Sequence, residues 1–167
     1  MRWYWIDRFL EFESGRYAKA IKAISLAEDH LHDHFPSYPV IPNTLVIEGL
    51  AQVGGLLVCE HNHFTEKVVL AKISKVRFYG QAIPGDTLVY RTDVDYIKEN
   101  GAMVTGTAHL GDELYAKAEL VFAHLAADFD EHTLFEPKAF LQMMRMLGAY
   151  EIGHNADGSP LTEPAIG

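Results

Sequence analysis

The sequence predicts an α+β fold: a curved antiparallel sheet wrapped around one long central helix. Three observations predict it. Residues 44–61 carry apolar side chains on every side, so a helix there leaves no face for solvent. The four segments that follow, 68–79, 87–97, 102–110 and 114–125, alternate with a period of two. Between them stand Pro84-Gly85-Asp86, Glu99-Asn100-Gly101 and Gly111-Asp112, which read as tight turns. Strands joined by tight turns form an antiparallel sheet, and one such sheet can bury a helix all round only by curling around it.

The remaining elements follow in order. Residues 16–26 mix apolar and basic side chains and read as a strand, because a Ser14-Gly15 turn precedes them and no helix cap does. Residues 30–42 hold three prolines and read as a loop. Asn43 or Thr44 is placed to cap the central helix. Gly49, Gly54 and Gly55 weaken that helix in isolation and suggest that other backbone packs close against it. Residues 137–147 read as a short helix that begins at Pro137, presents Phe140, Leu141, Met144 and Leu147 on one face, and ends at Gly148. Residues 153–167 read as a mobile tail. The expected organisation is a main domain over 1–127 and a C-terminal extension over 128–167.

Composition narrows the function classes. An apolar content of 49% and a charged content of 22% are those of an ordinary globular domain. A net charge of −9 argues against nucleic-acid binding. No apolar run approaches the ~20 residues of a membrane span. The opening Met1-Arg-Trp-Tyr-Trp-Ile-Asp7 does not read as a signal peptide, so a cytoplasmic location is expected. The single cysteine, Cys59, fits a reducing compartment and reads as a small buried hydrophobe.

The chemistry-bearing segment runs from His30 to Gln52. A proline-rich loop delivers His34 to the mouth of the central helix, and Glu48 stands one turn inside that helix. A carboxylate in an apolar helix is costly unless paired, neutral or wet. Burial favours its neutral form and the helix dipole favours the anion. Taken singly, a glutamate near a helix start and a histidine in a loop are ordinary features. Together they sit in a longer pattern.

That pattern is His34-Phe35-Pro36-Ser37, then Pro39-Val40-Ile41-Pro42-Asn43, then Leu45-Val46-Ile47-Glu48-Gly49-Leu50-Ala51-Gln52, with Glu48 following His34 by 14 positions. It resembles the signature of the bacterial 3-hydroxyacyl-acyl-carrier-protein dehydratases, which have the hot-dog fold. Ile6-Asp7-Arg8-Phe9-Leu10-Glu11, Lys75-Val76-Arg77-Phe78, Pro84-Gly85-Asp86 and residues 116–122 extend the resemblance over about residues 4–124. The resemblance implies removal of water from a 3-hydroxyacyl thioester, with no cofactor and no metal. It implies His34 as base on the C2 proton and Glu48 as the group that helps the C3 hydroxyl leave. Val40 would orient the imidazole through its carbonyl, the Asn43 N–H would hold the thioester carbonyl, and Gln52 would belong to the substrate pocket. The partners implied are an acyl carrier protein and a second copy of the chain, a homodimer at minimum with a trimer of dimers as the larger assembly. Lys72, Lys75 and Arg77 form a local basic cluster suited to an acidic carrier, and Lys75 and Arg77 share a strand face. Two positions depart from the family: Ser37 and Asn43 stand where it has glycines. Asn tolerates glycine-like backbone angles, so an altered substrate is the expected consequence.

Three other readings compete. An acyl-binding protein or thioesterase would share the scaffold, but the spaced His34 and Glu48 favour a dehydratase. His30, His32 and His34 would share a face in an extended segment and suggest a metal site, as do His61 and His63. A structural protein would leave the carboxylate in the helix without a reason.

Overall fold

The computed structural model describes residues 4–125 and 136–165. Its sheet has six strands: β1 (Arg8–Glu13), β2 (Tyr17–Ala23), β3 (Lys67–Phe78), β4 (Thr87–Lys98), β5 (Gly101–Leu110) and β6 (Glu113–Leu125). Their order across the sheet is β1-β2-β4-β5-β6-β3, and all pairs are antiparallel. The helix α2 (Asn43–His61) packs on the inner face, touching strands β2 to β6.

Helix and sheet meet through small residues. One row across the sheet reads Ala20, Tyr90, Ala108, Ala116 and Phe78. Gly49 of α2 lies on Tyr90 so closely that a Cβ there would stand 2.7 Å from the ring. A Cβ on Gly54 would likewise stand 2.9 Å from Val104. The close approach read from these glycines is therefore real at both positions, but side chains and not backbone make it. At Gly55 the nearest neighbour, Phe122, is at an ordinary 3.4 Å, and this glycine borders open space instead. α2 is thus not covered all round: Glu48, Gln52 and Gly55 are only half-buried, and they share one exposed stripe.

Several expectations need correction. β1 escapes a period-two reading because its alternation is broken. A register shift between Phe9 and Glu11 turns both Phe9 and Phe12 inward, edge to face at 5.1 Å. The loop over 30–42 begins with a single helical turn, α1 (Asp29–Asp33), which buries Leu31. Neither Asn43 nor Thr44 caps α2. Pro42 holds the cap position with no side-chain cap bond.

The C-terminal extension is also more structured than expected. α3 (Pro137–Met146) buries Leu141 and Met144, and Gly148 ends it in the left-handed conformation at φ 73°. A short helix, α4 (Ala149–Ile152), follows. The segment read as a mobile tail then returns along β1. Phe9 N–H donates to Leu147 at 2.9 Å, Ser14 N–H to His154 at 3.0 Å, and His154 N–H to Phe12 at 3.0 Å, while Leu161 is buried. The extension therefore covers the open side of β1, which leaves β3 as the exposed long edge among the described residues. The boundary expected between Ala127 and Asp128 lies outside the described residues.

Candidate active site

The loop that carries His34 is fastened at both ends. Lys22 of β2, itself buried, pairs with Glu28 just before α1 and lies 3.8 Å from Asp7. Phe35 and Tyr38 exchange both main-chain hydrogen bonds, at 3.0 and 2.9 Å. Tyr38 Oη donates to Gln81 Oε1 at 2.7 Å, tying the loop to the segment after β3.

The imidazole of His34 is oriented as the resemblance implies. Its Nδ1 lies 3.0 Å from the Val40 carbonyl oxygen, and Val40 N–H donates back to the His34 carbonyl at 3.0 Å. A carbonyl oxygen only accepts, so Nδ1 carries a hydrogen, and in the neutral ring Nε2 is then the nitrogen with the lone pair. Phe35 stacks on the ring with centroids 4.3 Å apart. His30 lies nearby, edge to face with Trp5. Burial pushes its imidazole below the ordinary range, with Glu28 opposing and Lys22 and His34 adding to the shift.

His34, Val40, Asn43 and Thr44 line one pocket at the start of α2, together with Gln81. A helix leaves its first N–H groups without intrahelical partners, so this end of α2 offers donors where negative charge can build. Asn43 is in helical backbone conformation, so the glycine-like angle considered for it is not required. Its side chain is drawn aside, with Oδ1 accepting from Tyr115 Oη at 3.1 Å.

Glu48 lies elsewhere. It opens a second, mostly apolar groove along α2, lined by Ala51, Gln52, Gly55 and Cys59 and walled by Phe122 and by Leu70 of β3. Gln52 Nε2 donates to Glu48 Oε1 at 2.9 Å, and Gln52 Oε1 accepts from Trp5 N–H at 2.8 Å. Both ends of the Gln52 amide are thus engaged within the chain. Burial pushes the Cys59 thiol up to about 12, so it is a wall of the groove and not a nucleophile. Within one chain, His34 and Glu48 line separate concavities.

The basic cluster falls on the outer face of the sheet. Lys72 pairs with Val121, Lys75 with Glu119 and Arg77 with Lys117, whereas the alternate β6 residues Ala118, Leu120 and Phe122 are buried. Two register shifts in β3 bring Lys72 onto the face that Lys75 and Arg77 share. Lys75, Arg77, Tyr79 and Lys117 line a groove there together with Ala118 and the acidic Glu119, two residues short of Gln81.

The three alternating histidines do not share a face. His32 Nε2 meets the Leu26 carbonyl at 2.8 Å, His30 faces Glu28 and Trp5, and His34 meets Val40. Among the described residues no three His, Cys, Asp or Glu side chains converge as a metal site requires. Trp5, Tyr115 and Gln81 are site residues that sequence reasoning missed. Each acts across the fold, at a separation no local pattern signals.

A family model described as the FabA-like domain matches residues 3–119. Among relatives, the 3-hydroxyacyl-acyl-carrier-protein dehydratase FabZ of Pelotomaculum thermopropionicum is 40% identical over 119 residues, covering 71% of this chain and 85% of the relative. The FabZ of Desulforamulus reducens is 41% identical over 121 residues, with 71% and 84% covered. Among solved structures, smu.793 of Streptococcus mutans, described as bound to acetyl CoA, aligns with a TM-score of 0.61 at 14% identity over 75% of this chain and 94% of that one. The dehydratase heterocomplex ApeI:P of Xenorhabdus doucetiae aligns with a TM-score of 0.55 at 19% identity over 66% and 89%. These two speak for the fold, which is the hot dog. The family match spans His34, Glu48 and nearly all of the sheet that positions them, and the chain belongs to the FabA-like family.

Proposed function

We propose that the protein dehydrates a 3-hydroxyacyl thioester carried by an acyl carrier protein, in fatty-acid synthesis. The observation that carries this reading is the His34–Val40 hydrogen bond, which directs Nδ1 at a carbonyl and leaves Nε2 as the ring nitrogen available to substrate, at the mouth of a helix with free N–H donors. Nε2 of His34 takes the proton from C2. The electron pair moves toward the thioester carbonyl, where the N–H of Asn43 stabilises the developing charge. Glu48 donates a proton to the C3 hydroxyl, which leaves as water, and the C2–C3 double bond forms. Well-placed acid and base groups each contribute ~10²–10⁴-fold.

In this reading the active unit is at least a homodimer. Separate concavities for His34 and Glu48 support it, because a second copy can bring one against the other. The free edge of β3 supports it too: Leu70 and Ile73 are exposed there, and pairing two β3 edges continues the sheet. An acidic carrier docks on Lys72, Lys75 and Arg77, and its phosphopantetheine arm reaches past Gln81 to His34. Among the described residues no helix is long and apolar enough to cross a membrane. We place the reaction in the cytoplasm, because the single cysteine fits a reducing compartment.

The test is incubation with a series of carrier-linked 3-hydroxyacyl thioesters, read by the absorbance of the conjugated enoyl product. A signal that disappears in both His34→Ala and Glu48→Gln is expected. No signal at any chain length, or near wild-type turnover in both variants, ends the reading.

A further inference from the structure

The groove that begins at Glu48 ends on the C-terminal extension. Its floor is one face of α2, Glu48, Ala51, Gln52, Gly55, Leu56 and Cys59, at helical spacing and ~16 Å long by the rise of an α-helix. Beyond Glu48 and Gln52 every lining residue is apolar or glycine. Phe140 and Met143 of α3 line the far part beside Val68 and Phe122. Phe140 is itself stacked on Phe64, with ring centroids 6.2 Å apart.

α3 is suited to this by having two apolar sides. Leu141, Met144 and Leu147 are buried and anchor the extension. Phe140 and Met143 are only half-buried and face the groove. The helix lies outside residues 3–119, the span matched by the family model. The head of the groove holds the carboxylate assigned to the C3 hydroxyl, so the part of the substrate that continues along it is the acyl chain.

We infer that Phe140 and Met143 form the end wall of the acyl groove and set the longest chain the protein accepts. The occupant is a saturated or simple alkyl chain, and the inference rests on the dehydratase reading for which end of that chain meets Glu48. Each methylene laid into the groove should tighten binding about fourfold until the chain meets the wall. Beyond that point, affinity should stop rising or fall.

The experiment uses full-length protein and a ladder of unreactive acyl-pantetheine thioethers, from butanoyl-length to hexadecanoyl-length chains, with Kd measured by calorimetry. Phe140→Ala and Met143→Ala should move the break in the ladder to longer chains and tighten the first chains beyond the wild-type limit by roughly 10-fold or more. Met143→Trp should move the break to shorter chains, which a merely loosened helix would not do. A break at the same length in all three variants overturns the inference, as does an affinity indifferent to chain length. Turnover is followed separately. A shifted break without dehydration removes the activity and leaves the wall, whereas dehydration with an unshifted break removes the wall and leaves the activity.

Discussion

Gln52 and Glu48 stand one helical turn apart on α2, and the amide of one holds the carboxylate of the other at 2.9 Å. The main-chain N–H of Trp5 fixes the amide's orientation by donating to its oxygen, so the donor side of Gln52 must face Glu48. The residue that the resemblance places in the substrate pocket lines the groove and also holds the carboxylate. A hydrogen bond of this kind contributes ~0.5–1.5 kcal/mol, and Gln52→Leu should lower kcat by roughly 2- to 13-fold with KM little changed. Steady-state kinetics across a substrate range decides it. A rise in KM at constant kcat would make Gln52 a substrate contact instead.

His34 and Glu48 open onto different concavities of one chain. If each site is completed by the other copy, a hybrid of His34→Ala and Glu48→Gln subunits contains one intact site and one doubly damaged site. Random exchange between equal amounts should then restore about a quarter of wild-type activity, given a two-fold symmetric dimer. No recovery, with exchange verified by mass spectrometry, would show that each chain supplies both groups itself. Ile73→Lys on the exposed β3 edge should weaken the pairing and lower the sedimentation coefficient.

The central helix, the four strands after it and the strand before it were legible in the sequence because their periodicity is local. So was the orientation of His34 by Val40, through the resemblance. What escaped was either irregular or distant. A register shift in β1 places Phe9 and Phe12 on the same face and hides the strand from a period-two reading. A similar pair of shifts in β3 brings Lys72 beside Lys75 and Arg77, where strict alternation separates them. The tail over 153–161 has the composition of a loop, yet its backbone satisfies the open edge of β1. Composition reports what a segment lacks, not which hydrogen-bonding groups elsewhere need it. Tyr115 draws the Asn43 side chain aside from 72 residues away, a contact only the sheet register creates.

The cluster of Lys72, Lys75 and Arg77 lies on the outer face, next to a groove also lined by Lys117. Exposed charges contribute to long-range attraction more than to fold stability. Lys75→Glu with Arg77→Glu should therefore leave the melting temperature nearly unchanged and raise KM for carrier-linked substrate. Small-thiol thioesters should be processed as before, and the difference between the two substrates should shrink as salt is added. Equal loss on both would mean that the cluster supports the site itself and not the carrier.

Glu60, near the end of α2, is almost fully buried, and one of its carboxylate oxygens has no hydrogen-bond partner among the described residues. Burial raises its pKa, opposed by a Ser14 hydrogen bond and by His63 and His61. The folded chain therefore keeps this proton to higher pH than the unfolded chain does. Below the ordinary glutamate range both states are protonated and the residue has no pH-linked effect. As pH rises through that range into the raised one, the unfolded chain ionises first and stability falls, and above both values the penalty is complete. Glu60→Gln is neutral throughout and should flatten that part of the curve. In buffer near pH ~8 its melting temperature should exceed wild type, and the gain should vanish toward pH ~4. A gain of the same size at both pH values would mean that packing, and not ionisation of this carboxylate, is what the substitution changes.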